Sequence, residues 1–152
     1  PLAELGHVIA QNNLGVMYAN GNGVLENDKT AAKWLTLATE QGFAEAQYEL
    51  GGMYARGEGV PANAKTALKL LTLSAEQGFG EAQTRLGLTY YTGNGVQADN
   101  IRAYMWFNLA AKNGDETAHG LKENVTNEMS IPHINKAQDM SSRCLESNYT
   151  DC

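Results

Sequence analysis

The chain has 152 residues with 43% hydrophobic and 18% charged side chains, a balance that is typical of a folded globular protein and excludes a disordered one. Its formal net charge is −6 and it has no basic cluster, so we expect no nucleic-acid binding, which depends on Lys and Arg contacts to phosphate. Its apolar runs are only a few residues long, so we expect no membrane insertion.

The first six residues resemble the end of a unit that recurs farther along the chain. Residues 2–6 match residues 37–42 in their apolar positions and in the closing glycine. Residues 1–6 are therefore predicted to be the tail of a preceding helix B. On this interpretation the sequence is a trimmed or mature form of a longer chain.

From residue 7 the chain repeats with a period of 36 residues. Identical residues recur at this spacing in three or more copies, which indicates a tandem array of helix–loop–helix units. The recurring columns are Ala10, Ala46, Ala82 and Ala118; Leu14, Leu50 and Leu86; Gly15, Gly51 and Gly87; Tyr18, Tyr54 and Tyr90; Gly21, Gly57 and Gly93; Gly42, Gly78 and Gly114.

Each column fits one place in the unit. Ala10 and Leu14 lie one turn apart on one helix face. Gly15 beside them predicts a close approach of two helices, because a glycine inside a helix otherwise costs about 1 kcal/mol. Gly21 is predicted to end helix A in the left-handed conformation. The unit is predicted as helix A at 8–20, a loop at 21–27 and helix B at 28–41, with copies at 44–77 and 80–113.

The start of helix B is predicted from its acidic residues. Asp28 and Asp99 are the predicted N-caps, because a short acceptor side chain satisfies the free N–H groups of a first turn. The second copy is expected to depart from this pattern, with Ala64 at the cap. It also has Leu70 where the other copies have Trp.

After residue 115 the pattern fades into a predicted helical cap. Residues 116–127 are predicted to form a fourth helix A, and Ser130 and Pro132 are predicted to begin a last helix as N-cap and first-turn proline. We expect the apolar stripe of this last helix to pack on the fourth helix A, since a terminal repeat must cover its open end. The stripe is Ile134, Ala137, Met140, Cys144 and Leu145.

The whole chain, 1–152, is predicted to be a single domain with an ordered series of parts. The parts are the helix B tail at 1–6, repeat 1 at 7–43, repeat 2 at 44–79, repeat 3 at 80–115 and the C-terminal cap at 116–152.

These columns resemble the Sel-one-like repeat family, a branch of the tetratricopeptide-like α-solenoids. The resemblance covers about residues 1–120 and is fullest in the second copy, from Ala46 through Gly51 and Gly59 to Gly78. It implies an all-α fold, a right-handed superhelix of three repeats with a helical C-terminal cap. It also implies a scaffold that holds protein partners together and is often exported in bacteria. The family has no shared catalytic residues, so none is assigned.

No catalytic, cofactor or metal site is predicted. Gly21 and Gly23 recur in every copy without the third glycine of a dinucleotide-binding loop and are interpreted as a turn. The histidines, His7, His119 and His133, have no partner at helical spacing that would suggest metal ligation. The sequence has no Ser-x-x-Lys motif, which weakens the alternative of a β-lactam-binding or hydrolase-type protein.

The two cysteines, Cys144 and Cys152, are interpreted through the same resemblance. Cysteine-rich members of the family have disulfides that close a loop of this size, which implies a Cys144–Cys152 bond. Residues 146–148 could turn the chain between them. The alternative is a pair of thiols in a cytoplasmic protein. A disulfide favours a periplasmic or secreted location.

Helix A has a second face that lies opposite its packing face when successive residues are placed about 100° apart. Its residues differ between the copies, whereas the packing columns do not, so we predict that it binds an extended peptide or a loop. Solvent exposure without binding is the alternative. The predicted partner-binding residues are Asn12, Asn13, Val16 and Asn20; Tyr48, Glu49 and Arg56; Thr84, Arg85, Leu88 and Thr92.

The sequence therefore predicts a monomeric protein-interaction scaffold of bacterial type. It is expected to bind a protein or peptide partner, to need no cofactor and to have no catalytic activity. The alternatives are a β-lactam-binding or hydrolase-type protein on the same repeats, and a structural component of a cell-envelope assembly.

Overall fold

The computed structural model describes residues 2–152, and all regular elements in this range are α-helices. The predicted class and the alternation of helices A and B are confirmed, with helix ends within two residues of those expected. Pro1, the first residue of the predicted helix B tail, lies outside the described range. The helices are α1 (Val8–Asn20), α2 (Asp28–Glu40), α3 (Ala44–Arg56), α4 (Ala64–Ala75), α5 (Gly80–Thr92), α6 (Asn100–Lys112), α7 (Thr117–Asn127) and α8 (Ile131–Glu146).

The chain forms two compact units, Pro1–Leu73 and Ser74–Cys152. In unit 1 the core joins α2, α3 and α4, and the side chain of Leu35 is fully buried at its centre. In unit 2 the core joins α6, α7 and α8 around Phe107, which is also fully buried. Burying a side chain of this size contributes roughly 1.5–3 kcal/mol, so the apolar columns hold each unit together.

The glycine column of helix A marks close helix contacts, as predicted. A Cβ atom placed on Gly15 would lie 2.7 Å from the Cγ of Leu35, and one on Gly87 would lie 2.6 Å from the ring of Phe107. On Gly51 it would lie 3.3 Å from the carbonyl oxygen of Ala67. Helix B therefore packs directly on the backbone of helix A in every copy. A separate glycine column ends helix A, as Gly21 does with φ of 65°.

The N-caps of helix B differ from the prediction at Asp28. Asn27 is the N-cap of α2, with extended φ of −156°, and its side chain accepts a hydrogen bond from the N–H of Thr30. Asp28 is the first helical residue instead. In the second copy the side chain of Asn63 accepts a hydrogen bond from the N–H of Thr66. The prediction that this copy has Ala64 in place of a capping residue was therefore wrong. Asp99 is confirmed as the cap of α6.

This assignment predicts unequal effects of two neighbouring substitutions. Asn27→Ala should lower the free energy of unfolding by about 1 kcal/mol, because it leaves the N–H of Thr30 without its acceptor. Asp28→Ala should change it by less than about 0.5 kcal/mol, because the lost dipole interaction is screened and alanine favours the helix. Urea unfolding of the two variants measures the difference. A larger loss of unfolding free energy for Asp28→Ala than for Asn27→Ala would indicate that Asp28 is the N-cap.

A polar column not singled out by the sequence analysis ties helix A to the turns around it. Gln11 is buried and donates from Nε2 to the carbonyl oxygen of Ala3 at 3.0 Å, and its Oε1 accepts from Gln41 at 2.7 Å. In unit 2 Gln83 repeats both bonds, donating to Ala75 and accepting from Asn113. These bonds satisfy amides that would be costly to bury without partners.

The C-terminal helix packs differently from the expectation. Ser130 is at the N-cap position of α8, followed by Pro132 in the first turn, as predicted. However, α8 packs mainly against α6, where Ala137 joins the core cluster of Tyr104 and Phe107. The expected packing on the fourth helix A, α7, was therefore wrong as the main contact. In this cluster α6 contributes the aromatic side chains of Tyr104 and Phe107, whereas α7 contributes the smaller Val125 and Leu121.

The predicted disulfide is present and closes the C-terminal loop. Cys144 and Cys152 are bonded with their Cα atoms 4.7 Å apart. The loop turns at Asn148 and Tyr149, which have φ of 53° and 66°. The hydroxyl oxygen of Tyr149 accepts a hydrogen bond from Asn113 Nδ2 at 2.8 Å. The loop is therefore attached to the end of α6 through this tyrosine.

Candidate protein-interaction surface

The predicted binding face of unit 1 lies on α1 and α3, and most of its residues reach the surface. Asn13, Asn20 and Arg56 are exposed. Val16, Tyr48 and Glu49 are half-buried, and Val16 also packs against the core cluster. We call those predicted partner-binding residues of helix A that are accessible in each unit the variable face. In unit 1 these are Asn13, Val16, Asn20, Tyr48, Glu49 and Arg56.

Arg56 has a partner within the chain. Its Nε donates to the carboxylate of Glu58 at 2.6 Å. The side chains are 52% and 43% exposed, so water and salt screen this pair and its net contribution is small. The guanidinium also extends over Gly52, where an added Cβ would lie 3.0 Å from Nη1. Arg56 is therefore held along α3 with about half of its side chain exposed.

Unit 2 offers a smaller variable face on α5. Arg85 and Thr92 are exposed, and Leu88 is half-buried against the core cluster. The hydroxyl of Thr92 donates to the carbonyl oxygen of Leu88 at 2.8 Å, so it stabilises its own helix. The variable face of unit 2 is Arg85, Leu88 and Thr92.

Asn12 and Thr84 do not belong to this surface, contrary to the prediction. Their exposed fractions are 1% and 7%. Asn12 directly follows the buried Gln11, and Thr84 directly follows the buried Gln83, so both lie at the edge of the packing face of helix A. The hydroxyl of Thr84 donates to a carboxylate oxygen of Asp115 at 2.6 Å, whereas Asn12 Oδ1 has no hydrogen-bond partner among the described residues. We therefore exclude these two residues from the variable face.

The Thr84 contact changes the ionisation of Asp115. Burial raises the pKa of this carboxyl group. Hydrogen bonds from Thr84 and from the hydroxyl and N–H of Thr117 lower the pKa by more than burial raises it, so the net pKa is below its ordinary value of 3.8. A carboxylate with a lowered pKa stabilises the folded state above its ordinary pKa, and this contribution is lost as the pH falls through the lowered pKa. Ionised Asp115 therefore stabilises unit 2 at neutral pH.

Thr84→Val is expected to raise the pKa of Asp115 towards its ordinary value, because it removes one hydrogen bond to the ionised form. Unit 2 should then lose the contribution of this carboxylate at a higher pH than the unsubstituted chain. NMR titration of the Asp115 carboxyl carbon measures the pKa directly. Thr92→Val is the matched control, since its hydroxyl bonds to Leu88. An unchanged pKa in Thr84→Val would show that this hydrogen bond has no effect on ionisation.

Metal sites and membrane-spanning helices are both absent from the part of the chain that the structure describes. Residues 2–152 contain no group of three or more His, Cys, Asp or Glu side chains placed to hold a metal ion. Within the same residues, no helix combines the length and the apolar character needed to cross a bilayer.

Comparison with known proteins places the repeats in a family. The Sel1 repeat matches residues 8–43, 44–79 and 80–115. A Sel1 repeat protein from Oxalobacter formigenes is similar in structure, with a TM-score of 0.72 and 38% identity over 81% of this chain and 92% of that one. No significant match is found among curated protein sequences.

A second solved structure shares the fold. It is c5321, a protective antigen present in uropathogenic Escherichia coli strains, which displays an SLR fold. The match has a TM-score of 0.74 and 24% identity, and it covers 97% of this chain and 40% of that one. Three matched repeats and the 38% identical relative together establish that this chain belongs to the Sel1 repeat family.

Proposed function

We propose that this chain is a protein-interaction module that binds an extended peptide or a loop along the variable face of helix A and has no catalytic activity. One observation carries the proposal. In adjacent columns of one helix, Leu50 and Gly51 repeat in all copies and are buried, whereas Glu49 is Asn or Arg in the other copies and remains accessible. Residues whose identity is not fixed by the shared packing can differ between copies and can specify a partner.

The chemistry of the face in unit 1 supports a peptide ligand. Tyr48 presents an aromatic ring that is partly accessible, and aromatic residues are favoured anchors in interfaces. Asn13 and Asn20 supply amides that donate to and accept from a peptide backbone. Glu49 and Arg56 supply both charges, so the face suits a ligand of mixed polarity.

The family and the disulfide support the remaining parts of the proposal. Sel1 repeats generally mediate protein interactions, and the similar solved structures are bacterial proteins. We further propose that the chain is a monomer and that it is located in the bacterial periplasm or outside the cell. The Cys144–Cys152 bond favours such an oxidising location.

Peptide selection tests the proposal. Phage-displayed random peptides would be selected on the disulfide-intact chain, and the affinity of a selected peptide would be measured by calorimetry. We expect Tyr48→Ala to weaken binding about tenfold, because a central aromatic anchor contributes roughly 1–2 kcal/mol or more. His133→Ala is the control, since it changes an exposed ring on α8 that is not part of the variable face. Equal affinities for Tyr48→Ala and the unsubstituted chain would contradict the proposed surface.

A further inference from the structure

Helix B carries a second repeated pattern on the side turned away from the core. Two lysines four residues apart are followed by a leucine four residues later in both α2 and α4. Along α4 these side chains line a depression of about 520 Å³. We call this set the outer stripe. It consists of Lys29, Lys33, Thr36 and Leu37 on α2, and Lys65, Leu68, Lys69, Thr72 and Leu73 on α4.

The outer stripe holds more apolar surface than a purely solvated face requires. Leu37 and Leu73 are 42% and 38% exposed, although both belong to helices that are anchored by buried residues such as Leu35 and Leu70. Scattered exposed leucines are ordinary. Here the leucine occupies the same column of two helices in the same unit, next to the same pair of lysines.

The third copy shows what this helix face can bind. The columns of Lys65 and Leu68 continue in α6 as Ile101 and Tyr104, which pack in the core cluster that Ala137 of α8 joins. In unit 2 α6 packs against α8, an amphipathic helix of 16 residues, and Gln138 of α8 donates to the hydroxyl of Tyr104. The chain thus already uses the outer side of one helix B to dock a helix.

Charge distinguishes the outer stripe from its counterpart in α6. The columns of the two lysines are Ile101 and Met105 in α6, so these positions are apolar in the third copy and basic in the first two. The chain has only 11 Lys and Arg residues against 17 Asp and Glu, and four of the 11 are Lys29, Lys33, Lys65 and Lys69. The stripe is therefore a local basic surface on an acidic protein.

We propose that the outer stripe docks an amphipathic helix of a partner protein whose acidic side chains flank an apolar stripe. The apolar residues of that helix would cover Leu68 and Leu73 along the depression of α4. Its Glu or Asp residues would pair with Lys65 and Lys69. This surface lies on helix B and is separate from the variable face, so the two proposals fail independently.

The test uses the intact chain and a synthetic probe. The probe is a fluorescein-labelled helical peptide of about 16 residues, the length of α8, with an Ala/Leu stripe flanked by Glu at four-residue spacing. Its control has Gln in place of Glu. Fluorescence anisotropy would report binding. We expect the Glu peptide to bind at least about fivefold more tightly than the Gln peptide at low salt, and the difference to shrink as salt screens the pairs.

Matched variants locate the site. Lys65→Gln with Lys69→Gln should weaken binding about fivefold, because each exposed ion pair contributes modestly. Leu73→Ser should weaken it about tenfold through loss of buried apolar area. The controls keep the same chemistry elsewhere: Lys112→Gln with Lys136→Gln, and Leu25→Ser, which changes a loop leucine that is 90% exposed. These controls should leave the affinity unchanged.

Three results would overturn the proposal. The first is equal binding of the Glu and Gln peptides, and the second is equal effects of the stripe variants and their controls. The third is displacement of the peptide by a short DNA duplex at equal concentration of negative charge, which would indicate a nonspecific polyanion surface.

Discussion

Replacing Gly51 with valine is expected to lower the free energy of unfolding by about 1–3 kcal/mol, through overpacking against helix B. A Cβ on Gly51 would meet the carbonyl oxygen of Ala67 at 3.3 Å and the Cβ of Leu70 at 3.4 Å. Both atoms belong to the rigid part of a packed helix, so the added methyl groups of valine force α3 and α4 apart. Thermal and urea unfolding measure the loss.

Gly52→Val is the adjacent control for this prediction. The nearest atom to a Cβ on Gly52 is the Nη1 of Arg56, at 3.0 Å, which is the end of a long exposed side chain that can move aside. Its column contains Val16 and Leu88 in the other copies, so this position accepts bulk. We expect a change within about 0.5 kcal/mol, as for most surface substitutions. Equal midpoints for the two variants would contradict close helix approach as the reason for the glycine column.

Reducing the disulfide is expected to destabilise unit 2 by about 2–3 kcal/mol, the chain-entropy value for closing so small a loop. The loosening should begin in the loop and the end of α8, because Cys144 and Cys152 link only these segments. Tyr149 should then lose its fixed position beside Asn113. The rest of α8 should remain folded, since Ala137 still packs with Tyr104.

Amide hydrogen exchange with and without a reductant measures this order of loosening. Exchange should rise first at residues 144–152 and then in α8, while α1, α2 and α3 keep their protection. Cys152→Ser should reproduce the exchange pattern of the reduced chain and should not respond to the reductant. Loss of protection in unit 1 before α8, or no change at either place, would contradict the role given to this bond.

The repeat and its helices were predictable because the signals are local and occur three times. The glycines that end helix A and the Ala and Leu columns of its packing face depend only on residues within one unit. Errors within one copy are therefore corrected by the others. The same logic would have found the cap of helix B, since Asn27 and Asn63 share a column with Asp99. The prediction treated Asp28 and Asp99 as equivalent, although they belong to two different columns, and this led to the wrong cap in α2.

The mistakes in the candidate surface arose from contacts between helices. A helical wheel places Asn12 and Thr84 opposite the packing face, but it does not show how far a neighbouring element reaches around the helix. Thr84 is buried, and its hydroxyl donates a hydrogen bond to Asp115, 31 residues later in the chain. The packing of α8 on α6 was missed for the same reason, because the sequence of a cap shows its apolar stripe and not the partner of that stripe.

The outer stripe could have been found from the sequence. Its lysine pair and leucine recur at the 36-residue period, like the glycines. Such a pattern on a polar face is usually solvated, so its meaning depends on the comparison with α6. Only the structure shows that the corresponding residues Ile101 and Tyr104 of α6 pack in the cluster that Ala137 of α8 joins.

NMR mapping of a selected peptide on the isotope-labelled chain tests the proposed function most directly. On titration, the amide signals that shift should cluster at the variable face of unit 1, around Asn13, Tyr48 and Arg56 on α1 and α3. The buried columns of Leu50 and Gly51 should move less. Shifts confined to the helix B surfaces or to the C-terminal cap, with the variable face unchanged, would contradict the assignment of helix A as the binding surface.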